Sequence, residues 1–251
     1  MTELPSSQRR SLTRWGRSAF ILLVAGIGFV FTLQNSLAGA WRNTNPNAVL
    51  GFFPRDSQAV ANIAATFVAK DPTPASIERA RLMSIEALRR DPLNVTAVRT
   101  LALVNDAKGD RAGAWRLLNR AEALSRRDLL TQLSIIEYLS AAGDVDGTLR
   151  HYDVAMRASR ASREILIPIL IDAANDPALV DPIAKLVAQR PPQWWMDYML
   201  PLVGGGPLAG ASRIAGQVLD AKVPAERELL VSMLDRLEET KEFDLAWALY
   251  L

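Results

Sequence analysis

The chain has no cysteine and one histidine. The first absence excludes disulfides, thiolate nucleophiles and cysteine-built zinc sites, and it leaves the redox state of the compartment open. The second removes the commonest general base: His151 stands beside Arg150 and Asp153 without the partners that tune a catalytic imidazole, and it reads as an exposed, incidental residue. No activated nucleophile, metal cluster or separated acid–base pair is recognisable, so we expect no enzyme, no cofactor and no metal. Glu238, Glu239 and Glu242 read as a solvated helix face interleaved with Arg236 and Lys241. A cation site would instead need a shaped loop of oxygen ligands. The glycines between Gly204 and Gly210 are followed by no Lys-Ser or Lys-Thr and preceded by no strand pattern, which makes them a turn and not a phosphate cradle.

An excess of one charge is also missing. Of 29 Lys and Arg, four fall in residues 1–40 with a single acid, and the remainder carries 25 basic against 26 acidic residues. The basic pI therefore belongs to the N-terminus, and the body offers no concentrated positive face for nucleic acid. Nor is there a charge between Ser18 and Trp41. Those 24 residues make a helix of roughly 36 Å, enough for a hydrocarbon core of about 30 Å. Arg9, Arg10, Arg14 and Arg17 precede the run and Trp15 and Trp41 flank it, as retained basic residues and interfacial anchors would. Ala38-Gly39-Ala40 also fits a processing site, so a cleaved signal peptide is the competing reading. Both place the body on the far side of the membrane, which in a bacterium is the periplasm.

What is present is a period. Gly109-Asp110 recurs as Gly143-Asp144, 34 residues later. Ala87, Ala121 and Ala155 fall on the same ladder, as do Ala80 and Ala114, and Leu118 is answered by Tyr152. A repeat of this length signals stacked helical hairpins, because one pair of short amphipathic helices cannot bury its apolar face alone. Beyond Arg163 the period loosens. Pro177, Pro182, Pro191 and Pro192 punctuate that region, Gly204-Gly205-Gly206 reads as a loop, and apolar spacing continues over Arg163 to Ala174 and Ala184 to Arg190. Leu230, Leu234 and Leu237 form a last stripe, after which Trp247 to Leu251 leave apolar surface uncovered. An array closes with a polar capping helix, so we expect a natural product that continues past residue 251.

The pattern resembles the tetratricopeptide repeat family, which places a small residue in the first helix, a glycine in the turn, and alanine, a large residue and alanine in the second helix. Val95 to Asp128 supplies Ala102, Gly109, Ala114, Leu118 and Ala121, with Arg126 where the family has proline. Leu129 to Ser162 keeps Gly143, Tyr152 and Ala155 but has Ile136 and Thr148 at small positions. Ala61 to Asn94 keeps Ala80, Ala87 and Pro92, with Pro72 and Pro74 in its turn. Taken with the N-terminal run, the resemblance leads us to expect an all-α chain: a basic tail (1–17), a transmembrane helix or uncleaved anchor (18–41), a connector with a short helix (42–60), an α-solenoid of tetratricopeptide-like hairpins (61–162) and degenerate helical repeats (163–251).

It also implies a concave groove for a protein or peptide partner. The first-helix positions that line it map onto Thr96, Arg99, Leu103, Asp106 and Ala107, then Leu130, Leu133, Glu137, Ser140 and Ala141. Arg99 and Leu103 replace the Lys and Asn clamp with which one subgroup grips acidic tails, so a chaperone-tail reader is not expected. Trp194, Trp195 and Tyr198 form the densest aromatic cluster; core packing is the first reading and a ligand patch the second. The expected function is a scaffold or adaptor of the inner membrane, with its helical part in the periplasm, similar in layout to tetratricopeptide proteins of envelope or exopolysaccharide assembly. The alternative is a glycan-binding or glycan-modifying protein whose array leads into a further carbohydrate domain.

Overall fold

The computed structural model describes residues 39–250 apart from 43, 71 and 189–191. Among them are thirteen α helices, one short 3-10 segment and no strand, as an all-α chain requires. In chain order they are α1 (Pro46–Phe52), α2 (Ser57–Lys70), α3 (Pro74–Arg90), α4 (Val95–Ala107), α5 (Arg111–Leu124), α6 (Leu129–Ala141), α7 (Val145–Ala158), α8 (Arg160–Asp172), the 3-10 segment Ala173–Asn175, α9 (Pro177–Ala188), α10 (Trp195–Gly205), α11 (Leu208–Val218), α12 (Pro224–Glu239) and α13 (Phe243–Tyr250). No helix among the described residues is long and apolar enough to cross a membrane. The expected span, 18–41, lies outside the described residues except for 39–41, which are helical. The chain divides into two compact units, Met1–Val104 and Asn105–Leu251.

In the first unit, α2 and α3 pair along their length and α1 packs on α2. Proline opens α1 and α3, where a missing N–H costs nothing, and the side chains of Asn45 and Thr73 accept hydrogen bonds from the amides of Ala48 and Ser76. Pro72 and Pro74, which depart from the repeat pattern, thus serve as turn and helix start. The pairing depends on small residues: Ala61, Ala87 and Ala97 meet with Val60 in one buried cluster, and Ala80 meets Ile77 and Val104 in another. A methyl at each crossing lets helix surfaces approach closely. A polar knot joins the helix starts. Asn94, 2% exposed, donates to Ser57 Oγ and Gln58 Oε1 at 3.0 and 3.2 Å and accepts from the amide of Ala97, so its burial leaves no unpaired group.

The second unit is organised by one turn used three times. After α4 the amide of Asp110 bonds the carbonyl of Asn105 at 2.9 Å and that of Gly109 bonds Asp106 at 2.8 Å, the two bonds of a Schellman ending. The same pair recurs as Asp144 to Leu139 with Gly143 to Ser140, and as Glu242 to Leu237 with Lys241 to Glu238. The pivot is left-handed each time, with φ of 81° at Gly109, 75° at Gly143 and 61° at Lys241. Asp110 and Asp144 then cap α5 and α7, accepting from the amides of Gly113 and Gly147 at 2.8 Å. Each cap contributes about 1 kcal/mol. The carboxylate leans over the glycine it bonds, where a Cβ would collide with it.

From α7 to α11 each helix packs on the next helix but one, α7 on α9, α8 on α10, α9 on α11, α10 on α12 and α11 on α13, while chain neighbours pack at α7 with α8, α10 with α11, α11 with α12 and α12 with α13. A continuous core runs through them, with Leu166, Leu170, Ile183, Tyr198, Leu202, Ile214, Met233 and Leu237 at 0–1% exposure. Burying each of the larger aliphatic side chains contributes about 1.5–3 kcal/mol. Three sequence expectations are corrected here. Pro182 lies inside α9 and does not end it, because Val180, Ile183, Ala184 and Val187 bury its face. Gly204 and Gly205 continue α10 instead of looping, because Arg236 reaches the carbonyls of Val203 and Gly206 at 3.0 and 2.6 Å and satisfies that helix end. Arg236 accordingly does not pair with the acidic face, and the buried stripe of α12 is Leu229, Met233 and Leu237, with Leu230 and Leu234 half-buried. The period loosens at α8 because its cap is Ser159, three residues earlier in the repeat than Asp128, which caps α6.

The third turn holds a lysine in a backbone conformation that penalises a Cβ, so Lys241→Gly is expected to raise stability by up to about 1 kcal/mol, whereas Gly109→Ala lowers it by at least that much. Urea midpoints at equal m-values read both.

Candidate partner-binding face

The α6 surface begins at Asp128, whose carboxylate takes the amide of Thr131 at 2.9 Å and orients the first turn. Leu130, Leu133 and Glu137 then share one face at helical spacing. Leu130 is 55% exposed and Glu137 exposed, while Leu133 is half-buried against the core. Ser140 and Ala141 continue the open surface, and Asp106 and Ala107 are exposed at the end of α4. Within the first unit the remaining expected groove residues are less open. Thr96 is half-buried and its hydroxyl accepts from Gln58 Nε2 at 2.9 Å, and Leu103 is half-buried. Arg99 is 4% exposed, because α4 buries Ala97, Val98, Arg99 and Thr100 in succession and has no open face there.

The aromatic cluster faces inward. Trp194 and Tyr198 are 0% exposed, packed edge to face at 6.2 Å, and Trp194 Nε1 donates to Asp153 Oδ1 at 2.8 Å; Trp195 is half-buried. Neither Trp194 nor Tyr198 offers a ring face to a sugar. Burial also pushes the Tyr198 phenol up, and its hydroxyl has no hydrogen-bond partner among the described residues. A second aromatic pair escaped the sequence reading: Trp115 of α5 stacks on Tyr138 of α6 at 5.0 Å, with the Arg111 guanidinium 4.9 Å from the Tyr138 ring. Both rings are half-buried. They stand at unrelated places in the repeat, so periodicity could not pair them.

His151 is not the exposed residue expected. Its ring is half-buried, with Nδ1 2.8 Å from Gln132 Oε1 and 3.7 Å from Glu122. Gln132 Nε2 donates to the carbonyl of Arg126 at 3.3 Å, which leaves Oε1 as the acceptor and puts the imidazole proton on Nδ1. Burial lowers the pKa from its ordinary 6.5; Glu122 opposes the shift, and Arg150 and Arg126 reinforce it.

Between α8 and α10 lies a cleft of about 720 Å³ lined by Arg160, Arg163, Glu164, Ile167, Pro168, Ile171, Asp197, Pro201 and Gly205. Arg163 crosses it to Asp197 at 3.1 Å. Sequence reasoning missed this site. Its only signal was a proline inside each of two otherwise helical apolar patterns, Pro168 and Pro201. A second cleft of about 630 Å³, beside α9, α11 and α13, is walled mainly by small residues such as Ala174, Ala209, Gly210 and Ala248.

No family profile matches the chain, and no curated protein matches it.

Two outcomes follow from these environments. Tyr198→Phe removes a buried hydroxyl that bonds nothing and is expected to leave stability unchanged or raise it by up to about 1 kcal/mol, read from thermal unfolding. For His151 the folded pKa lies below 6.5, so the unfolded chain binds more protons between the two values and stability falls as pH drops through 6.5. His151→Gln should abolish that part of the pH dependence, seen as a flatter curve of urea midpoint against pH than the unaltered chain gives.

Proposed function

We propose that this chain is a tetratricopeptide-like helical array that holds a protein partner on the surface of its first helices. In this reading, the apolar N-terminal run tethers it so that the helical part lies on the periplasmic side, in the assembly of envelope components or exopolysaccharide. The observation that carries the reading is the 34-residue recurrence of the turn itself: left-handed glycine, capping aspartate and a glycine beneath the carboxylate, at Gly109-Asp110-Gly113 and Gly143-Asp144-Gly147. The succession of helices packed on their next-but-one neighbours supports an array over a closed globule. The mixed apolar and acidic surface of α6, with Leu130 and Glu137 open, suits a peptide held by a pocket and a few directional contacts. Tethering favours such weak contacts by confining both partners to one surface.

The test uses the full chain in native membranes with a photo-crosslinking side chain at Leu130. A discrete polypeptide adduct is expected. The pair of changes Leu130→Arg and Glu137→Arg should lower partner capture by tenfold or more while the helical signal is kept. Arg99 is unsuitable for this purpose, since its burial makes any loss of capture indistinguishable from misfolding. Capture that survives the double change would refute the assignment of this surface.

A further inference from the structure

Pro168 sits inside α8 and Pro201 inside α10. Proline carries no N–H, so the carbonyls four residues earlier, those of Glu164 and Asp197, lack the donor that any other residue would supply. A helical carbonyl points toward the residue four further along, which places each of these oxygens beside its proline ring, on the face the proline occupies. Both prolines line the cleft between α8 and α10, and so do Glu164 and Asp197. Two under-used main-chain acceptors and two carboxylates therefore meet over an apolar floor of Ile167, Ile171 and the proline rings.

The cations already present differ in their commitments. Arg163 is engaged, donating from Nε to the carbonyl of Met156 at 2.9 Å and from Nη1 to Asp197 at 3.1 Å. Arg160 is loose: its side chain is 91% exposed and lies 3.8 Å from Glu164, an ion pair worth little in water. The Glu164 carboxylate and both carbonyls are thus acceptors open to a stronger donor. A carboxylate entering here would meet the Glu164 carboxylate and both carbonyls with only the loose Arg160 to offset them, and a purely apolar group would leave the carbonyls without a donor.

We propose that this cleft takes a lysine or arginine side chain of the protein partner, its aliphatic stem lying on Ile167 and Pro168 and its N–H groups bonding the carbonyls of Glu164 and Asp197 and the Glu164 carboxylate. The inference rests on the reading of the chain as a partner-holding array and names the chemistry recognised at one place on it. Such a side chain matches the site in both parts, since a long methylene stem buries on apolar surface while its charged head stays at the rim.

The experiment titrates the full chain, in detergent micelles and labelled at isoleucine methyls, with the probe acetyl-Ala-Ala-Lys-Ala-Ala-amide and with the same peptide carrying norleucine or glutamate in place of lysine. The lysine peptide should shift the Ile167 and Ile171 signals, the norleucine peptide bind at least tenfold more weakly, and the glutamate peptide not at all. Pro168→Ala supplies the missing N–H to Glu164, so it should raise thermal stability and yet weaken lysine-peptide binding several-fold, a combination that a purely structural proline would not produce. Glu164→Gln, on an exposed side chain, should weaken binding without altering stability. Equal binding of the norleucine or glutamate peptide, or unchanged binding by Pro168→Ala, overturns the cleft assignment while leaving the scaffold reading to the Leu130 crosslink. Lysine binding without any Leu130 adduct supports the cleft and counts against the scaffold.

Discussion

Helices of seven to seventeen residues are too short to persist in water on their own hydrogen bonds, so those among the described residues exist by burying a face against their neighbours. That constraint accounts for the small residues at the crossings. Ala61, Ala80, Ala87, Ala97, Ala114, Ala121 and Ala155 are all at most 1% exposed, and a larger side chain at any of them would hold two helices apart and expose more surface than it buried. It accounts for the turns as well. The connections at 91–94 and 125–128 reverse through extended C-caps, whereas at 109–110 and 143–144 the reversal uses a left-handed pivot and a cap at once, and Gly-Asp supplies the two in adjacent residues.

Burial also explains why local rules give way in the second unit. A proline in a helix interior costs about 3 kcal/mol and a glycine about 1, yet α8, α9 and α10 each carry one proline inside and α10 ends on two glycines. Each of these helices buries several large side chains in the continuous core: Leu166, Ile167 and Leu170 in α8, Ile183 and Val187 in α9, Tyr198, Met199 and Leu202 in α10. The packing gain exceeds the local cost, and where a proline frees a carbonyl on an open face the cost becomes an available acceptor. The cleft beside Pro168 and Pro201 is a consequence of stability found elsewhere in the same helices.

The candidate surface divides along the same line. Leu130 and Glu137 stand open on α6, while Arg99 is enclosed and Trp194 and Tyr198 belong to the core. A repeat pattern says which residues occupy equivalent places in successive hairpins. It does not say how many neighbours each helix has, and exposure depends on that number. His151 shows the same limit: nothing near it in sequence foretells Gln132, nineteen residues away on another helix, as its hydrogen-bond partner.

By itself the sequence determined the helical class, the 34-residue spacing and the residues that make the turns at Gly109 and Gly143, because those depend on local backbone chemistry and on the period of apolar side chains. Only the tertiary structure decided that Lys241 makes the same turn without glycine, that Arg236 closes the end of α10, that two aromatic residues are interior, and that two prolines on different helices, Pro168 and Pro201, open onto a common cleft. Each of these depends on a contact between residues about thirty positions apart, or on a burial gain outweighing a local preference. Neither is encoded in the neighbours a residue has along the chain.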